Sequence, residues 1–213
     1  MIISILSLFG CASHADPRDN YNKELETPRY QIATAEGQLE LRVYEPYVIA
    51  SVTVEGDFDS SSRQGFRLLA GYIFGANTSQ TKIAMTSPVS IKPNQQPETQ
   101  SEQLTMTAPV TTTLNKEGKW TVTFSMPSKY SLETLPIPEE ERVQLSVTKP
   151  QRFAVNIFSG RTTPESLKIE EKRLREWIKS QGLETRGDVT VARYNDPFTF
   201  PWNRRNEIMI EVP

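Results

Sequence analysis

The chain has 213 residues, 24 Lys and Arg against 26 Asp and Glu, a formal net charge of -2, one histidine and one cysteine. That length suits one domain with a sizeable core, and the near-neutral charge argues against a nucleic-acid binder working through a basic surface. One cysteine excludes an internal disulfide framework, a Cys-based zinc site and an iron–sulfur cluster, and one histidine, His14, excludes a Ser-His-Asp triad and a His-rich metal cage.

The chain opens on an uncharged apolar run, Met1 to Phe9, closed by Gly10-Cys11. It is too short to span a bilayer as a helix, which takes roughly 20 residues, and suits a cleaved secretory leader better. Leu8-Phe9-Gly10-Cys11 resembles a bacterial lipobox, with Cys11 as the lipidated first residue of the mature protein; Phe9 is bulky for that pattern and no Lys or Arg precedes the run. The expectation is an exported, envelope-tethered lipoprotein facing the periplasm. The alternative is a cytoplasmic protein whose first residues form an apolar leader or a buried strand. Residues 12–26 read as a polar linker that holds His14, and the folded domain spans 27–213.

Gln38 to Tyr44 alternates with period two and predicts a half-buried strand. Pro46 interrupts it, and Tyr47 to Val54 continues in strand composition. Asp57-Phe58-Asp59-Ser60 is a helix start and Gly75-Ala76-Asn77 a stop; between them Phe66, Leu69 and Ile73 form the predicted core stripe. Lys82 to Ile91 and Trp120 to Met126 read as strands, separated by a polar loop that begins at Pro93. In the second half, Phe153 to Phe158 is a strand. Thr163-Pro164-Glu165 starts a helix whose apolar stripe is Leu167, Leu174, Trp177 and Ile178, and Gly182 closes it. Val189 to Tyr194 and Glu207 to Val212 are the last strands. Each half therefore reads strand, helix, strand, strand. The fold class is α+β: two β-α-β-β repeats forming a distorted antiparallel β-barrel or curved sheet flanked by two helices.

Five segments in order carry a family likeness: Lys82-Ile83-Ala84-Met85-Thr86-Ser87-Pro88-Val89, Met106-Thr107-Ala108-Pro109-Val110, Trp120 to Pro127, Tyr130 to Pro136, and Ala192 to Phe198 with Arg204-Arg205-Asn206-Glu207. Together they resemble a bacterial member of the SOUL family of haem-binding proteins, over nearly all of the chain beyond the leader. The resemblance implies the same two-repeat barrel and an exposed apolar groove near the first helix that takes a tetrapyrrole. Some animal members use an axial histidine; others bind through apolar contacts and basic residues. This domain has no histidine, so axial imidazole is excluded by composition.

A tetrapyrrole needs a flat apolar slot and cations for its propionates. On the first helix Arg63 and Arg67 share a stripe with Phe74, Ala70 and Gly71 beside Phe66, so that small residues leave room for a planar ring while guanidinium groups hold carboxylates. Lys82 adds a third cation. Met85 is a candidate contact or thioether ligand, as is Met106; Tyr72, on the helix face away from the core stripe, is a surface aromatic or a phenolate ligand. Tyr194-Asn195-Asp196-Pro197 and Arg204 to Glu207 read as turn chemistry and strand-tying ion pairs rather than catalysis. The expected activity is non-catalytic binding of haem or a related tetrapyrrole, by a monomer without nucleic-acid partners. Cys11 supplies the membrane contact. Two alternatives stay open: a GyrI-like small-molecule hydrolase, marked by a buried Glu of raised pKa beside Tyr or Trp, and an apolar-peptide interaction module, marked by a groove without nearby cations.

Overall fold

The computed structural model describes Pro17 and residues 25–93, 119–196 and 198–213. Its strands are β1 (Tyr30–Glu36), β2 (Leu39–Tyr44), β3 (Val48–Glu55), β4 (Val89–Pro93), β5 (Lys119–Ser125), β6 (Gln144–Val147), β7 (Gln151–Phe158), β8 (Arg186–Arg193) and β9 (Asn206–Val212); its long helices are α1 (Phe58–Ile73) and α2 (Pro164–Ser180). The strands form one antiparallel sheet in the order β1-β2-β7-β9-β8-β4-β5-β3-β6. The duplication is visible in that order. The unit β3-α1-β4-β5 lays its strands as β4-β5-β3, the unit β7-α2-β8-β9 lays them as β7-β9-β8, and the two meet about a pseudo-twofold at the antiparallel β8–β4 pair. The β1–β2 hairpin extends one end of the sheet, and β6 extends the other.

The sheet has to curl. β2 and β3 lie six strand positions apart in the sheet, about 29 Å if it were flat. Only Glu45, Pro46 and Tyr47 join them, a link that reaches at most about 14 Å. The ends of the sheet therefore approach each other, while β1 and β6 remain unpaired edges: a distorted barrel left open along one seam.

Both helices cover the same face. In β5, Trp120, Val122 and Phe124 join the core with Leu69 and Ile73 of α1, while Thr121, Thr123 and Ser125 alternate onto the other face. The core of the second unit joins Leu174, Trp177 and Ile178 of α2 to Ile208, Ile210 and Val212 of β9. Asp57 caps α1 by accepting from the Asp59 and Ser60 N–H groups at 2.9 Å each, and Thr163 caps α2 by accepting from Ser166 N–H at 3.2 Å. Gly65 lets α1 sit directly on β5, because a Cβ there would meet Val122 Cγ2 at 2.4 Å.

The elements depart from expectation in three places. Residues 82–88 are not a strand: Ile83 N–H donates to the Ile73 carbonyl at 2.8 Å and Thr86 bridges Glu26, so their backbone ties down the α1 end and the incoming chain, and pairing begins only at Val89. Two further strands, β1 and β6, are not expected from the sequence; both are edge strands, and β6, Gln144-Leu145-Ser146-Val147, is only four residues long. Phe66, expected in the core with Leu69 and Ile73, is 38% exposed at the flank of α1.

Candidate functional site

The outward face of α1 carries Arg63, Arg67 and Phe74, all exposed, with Phe74 at 61%. Gly71 is half-buried among them, and a Cβ built on it meets nothing within 4 Å, so space for a flat group opens directly over the helix backbone. Ala70 is buried and does not reach that face. Lys82 is exposed and, through the Ile83–Ile73 hydrogen bond, stands at the C-terminal end of α1 near Phe74. Met85 is half-buried and packs against the core beneath α1. Of the predicted residues, Arg63, Arg67, Gly71 and Phe74 share the outward face of α1 with Lys82 at its end, whereas Ala70 and Met85 are turned to the core and Phe66 lies on the flank. Met106, Cys11 and His14 lie outside the described residues.

The flank of α1 that faces β8 carries Asp59, Ser62 and Phe66, at the spacing that stacks side chains on one side of a helix. The Phe66 ring meets Phe124 edge-on at 5.3 Å. In the sheet beneath, Phe124 is registered with Val89 and Val89 with Arg193, so one cross-strand row runs from an aromatic pair through a half-buried valine to a guanidinium. Arg193 lies 4.9 Å over the Phe58 ring, donates to Ser62 Oγ at 3.2 Å and has Asp59 at 4.0 Å. Burial, with Arg204 nearby, holds its pKa below the usual arginine value despite Asp59. This residue was not singled out from the sequence. The available signal was a cation on the inward-facing register of a strand whose other inward members are Val189 and Val191.

Tyr72 is neither a surface aromatic nor a phenolate. It is 1% exposed, and its hydroxyl donates to the Pro136 carbonyl at 2.9 Å. Burial, with Tyr130 nearby, pushes its pKa up to about 12, which keeps it a neutral phenol. The helix wheel misplaced it because the segment around Pro136 covers a part of α1 that the sheet does not.

On the opposite face of the sheet, the tail motif builds a buried ionic cluster. The Glu207 carboxylate accepts from Arg42 Nη1 at 2.9 Å and Nη2 at 3.1 Å, from Arg205 Nη2 at 2.6 Å and from the Tyr194 hydroxyl at 2.8 Å. Arg42 also donates to Glu40 at 2.7 Å. Burial alone would raise the Glu207 pKa, but Arg42 and Arg205 hold it below the usual carboxylate range. A general base works best with a pKa near the working pH. Glu207, the buried carboxylate that accepts from Tyr194, is therefore shifted the wrong way for a general base. Asp196 accepts from the Phe198 and Thr199 N–H groups, the turn chemistry read from the sequence. Near the sheet seam lies a cavity of about 340 Å³ lined by Glu26, Arg29, Glu45, Tyr47 and Tyr130 among others. Among the described residues, no group of three or more His, Cys, Asp or Glu is placed to hold a metal ion.

Two β-α-β-β units related by a pseudo-twofold, with both helices on one face of a single antiparallel sheet, define a duplicated α+β fold. The family model for the SOUL heme-binding protein matches residues 25–101 and 94–211, and the chain belongs to that family. It is 27% identical to heme-binding protein 2 of Mus musculus over 197 residues, covering 89% of this chain and 87% of the mouse protein. It is 28% identical to heme-binding protein 2 of Homo sapiens over 178 residues, covering 82% and 78%. The same fold occurs in an uncharacterized conserved protein from Listeria innocua, with a TM-score of 0.60, 12% identity and coverage of 83% and 92%. The EcmrR C-terminal domain shares it at a TM-score of 0.56 and 14% identity, covering 86% and 98%.

Proposed function

We propose that the protein binds haem or a related tetrapyrrole along α1, as a non-catalytic binding protein without an axial histidine. The observation that carries this reading is the open space over Gly71, bordered by exposed Phe74 and by Arg63 and Arg67. A planar apolar ring fits where no Cβ stands, and two guanidinium groups suit its carboxylates. Family membership and the named haem-binding relatives support the ligand class. Cations beside the apolar surface favour a tetrapyrrole over an apolar peptide. The bound group would supply its own iron chemistry. The chain contributes apolar contact and charge pairing from the outward face of α1, while Met85 packs against the core beneath the helix and is not offered to a ligand there.

The test is a haemin titration of the full chain, followed by Soret absorbance against free haemin. A saturable one-to-one shift is expected. Arg67→Glu should weaken it at least tenfold, about 1.4 kcal/mol, and Gly71→Leu should abolish it by filling the open space. Absence of a saturable shift at micromolar haemin would reject the reading. Export and lipidation belong to the same proposal: Cys11→Ser should remove membrane-associated label after growth with labelled palmitate, and unlabelled wild-type protein would reject the anchor.

A further inference from the structure

We propose that Arg193 is a further carboxylate anchor of this site, so that a ligand lying along α1 directs an acidic group past the Phe66 flank to the β8 end of the Phe124–Val89–Arg193 row, beside those that Arg63 and Arg67 hold. The inference deepens the tetrapyrrole reading and rests on it. Three features of Arg193 carry it.

First, its charge is poorly compensated where it sits. The Arg193 side chain is 30% exposed, and its ion-pair partner Asp59 stands at 4.0 Å with a side chain 64% exposed. By contrast Arg42 and Arg205, on the other face, each meet a buried carboxylate at 2.9 Å or less. Arg204 is close enough to disfavour the Arg193 charge further. Second, Arg193 Nε is buried and has no hydrogen-bond partner. A buried guanidinium N–H without an acceptor is costly and rare, and an incoming anion offers that acceptor. Third, the residue ends an apolar strip. Cross-strand neighbours lie about 4.8 Å apart, so Arg193 is about 10 Å along the sheet from Phe124, with half-buried Val89 between them. Phe124 is itself buried beneath Phe66, so the apolar surface offered beside Arg193 is the exposed part of the Phe66 ring, which a flat apolar ligand with a terminal carboxylate can cover. The Phe58 ring beneath holds the guanidinium in place, which lowers the entropy lost when a carboxylate binds.

The experiment compares haemin with haemin dimethyl ester, which keeps the ring and iron but lacks free carboxylates. Each is titrated against wild type, Arg193→Gln and Ser62→Asp. Ser62→Asp leaves Arg193 present and gives it a carboxylate of its own, so it tests the site even if Arg193→Gln folds poorly. The expected result is at least a tenfold loss of haemin affinity in both variants, with ester affinity within twofold of wild type. If wild type binds haemin and both variants bind it equally well, the anchor is overturned and the tetrapyrrole reading stands. If wild type binds neither compound, both fall. Inorganic phosphate, measured by thermal shift without haemin, separates the remaining source of anion. A shift that Arg193→Gln abolishes, alongside equal wild-type affinity for haemin and ester, would assign the site to a free anion and overturn the proposal.

Discussion

Two glycines on the same helix make opposite predictions. In a helix interior, Gly→Ala gains about 1 kcal/mol of propensity at either position. At Gly71 the new methyl meets nothing within 4 Å, so that gain should appear almost whole. At Gly65 the methyl would stand 2.4 Å from Val122 Cγ2 and 2.6 Å from Val122 Cβ. Val122 is fully buried and registered between Val52 of β3 and Ile91 of β4, so it cannot swing aside and α1 must lift from β5. Overpacking of this kind costs about 1–3 kcal/mol, and overlap this deep belongs at the upper end. Net of propensity, Gly65→Ala should destabilise the protein by about 2 kcal/mol while Gly71→Ala stabilises it by about 0.5–1 kcal/mol. Urea denaturation followed by tryptophan fluorescence measures both. The propensity term cancels in the difference between the variants, which leaves the packing cost alone. Adding Val122→Ala to the Gly65→Ala protein should recover part of the loss. Equal midpoints for the two alanine variants would show that α1 does not ride on Val122, and the packing argument would be wrong.

Three further outcomes are expected. Glu207→Gln removes the charge that two buried arginines share and should cost about 3–5 kcal/mol, read as a lower urea midpoint. Because Glu207 lies on the sheet face away from α1, haemin affinity of the folded variant should not change; a loss of affinity with stability intact would move the site. The Glu207 pKa is lowered in the folded protein, so its stabilisation is present above the ordinary carboxylate range, about 4.3, and is lost as pH falls through the folded value. Wild-type stability should therefore decline below about pH 4.3 more steeply than that of Glu207→Gln, as urea midpoints across the acid range will show. Tyr72→Phe loses one buried hydrogen bond to the Pro136 carbonyl and should cost about 1 kcal/mol with no change in the haemin spectrum. An altered Soret band in that variant would return Tyr72 to the ligand set.

The repeating strand-helix-strand-strand order was legible because its signals are local: the Asp57 and Thr163 caps, the alternation of Trp120 to Phe124, and the apolar stripe of α2. The exclusion of axial imidazole needed only composition. Whatever depends on neighbours distant in sequence was not legible. The short β2–β3 link and the sheet order together curl the sheet, yet neither strand shows where its partner lies. Tyr72 is buried by the segment around Pro136, and Phe66 is exposed although its spacing matches Leu69 and Ile73, because a helix wheel knows the spacing of side chains but not what covers them. The ligand surface divides in the same way. Arg63, Arg67, Gly71 and Phe74 share a face through helix geometry alone, which the sequence contains. Arg193 joins that helix only because antiparallel registry carries Phe124 to Val89 and Val89 to Arg193 across three strands, a placement that the tertiary fold decides.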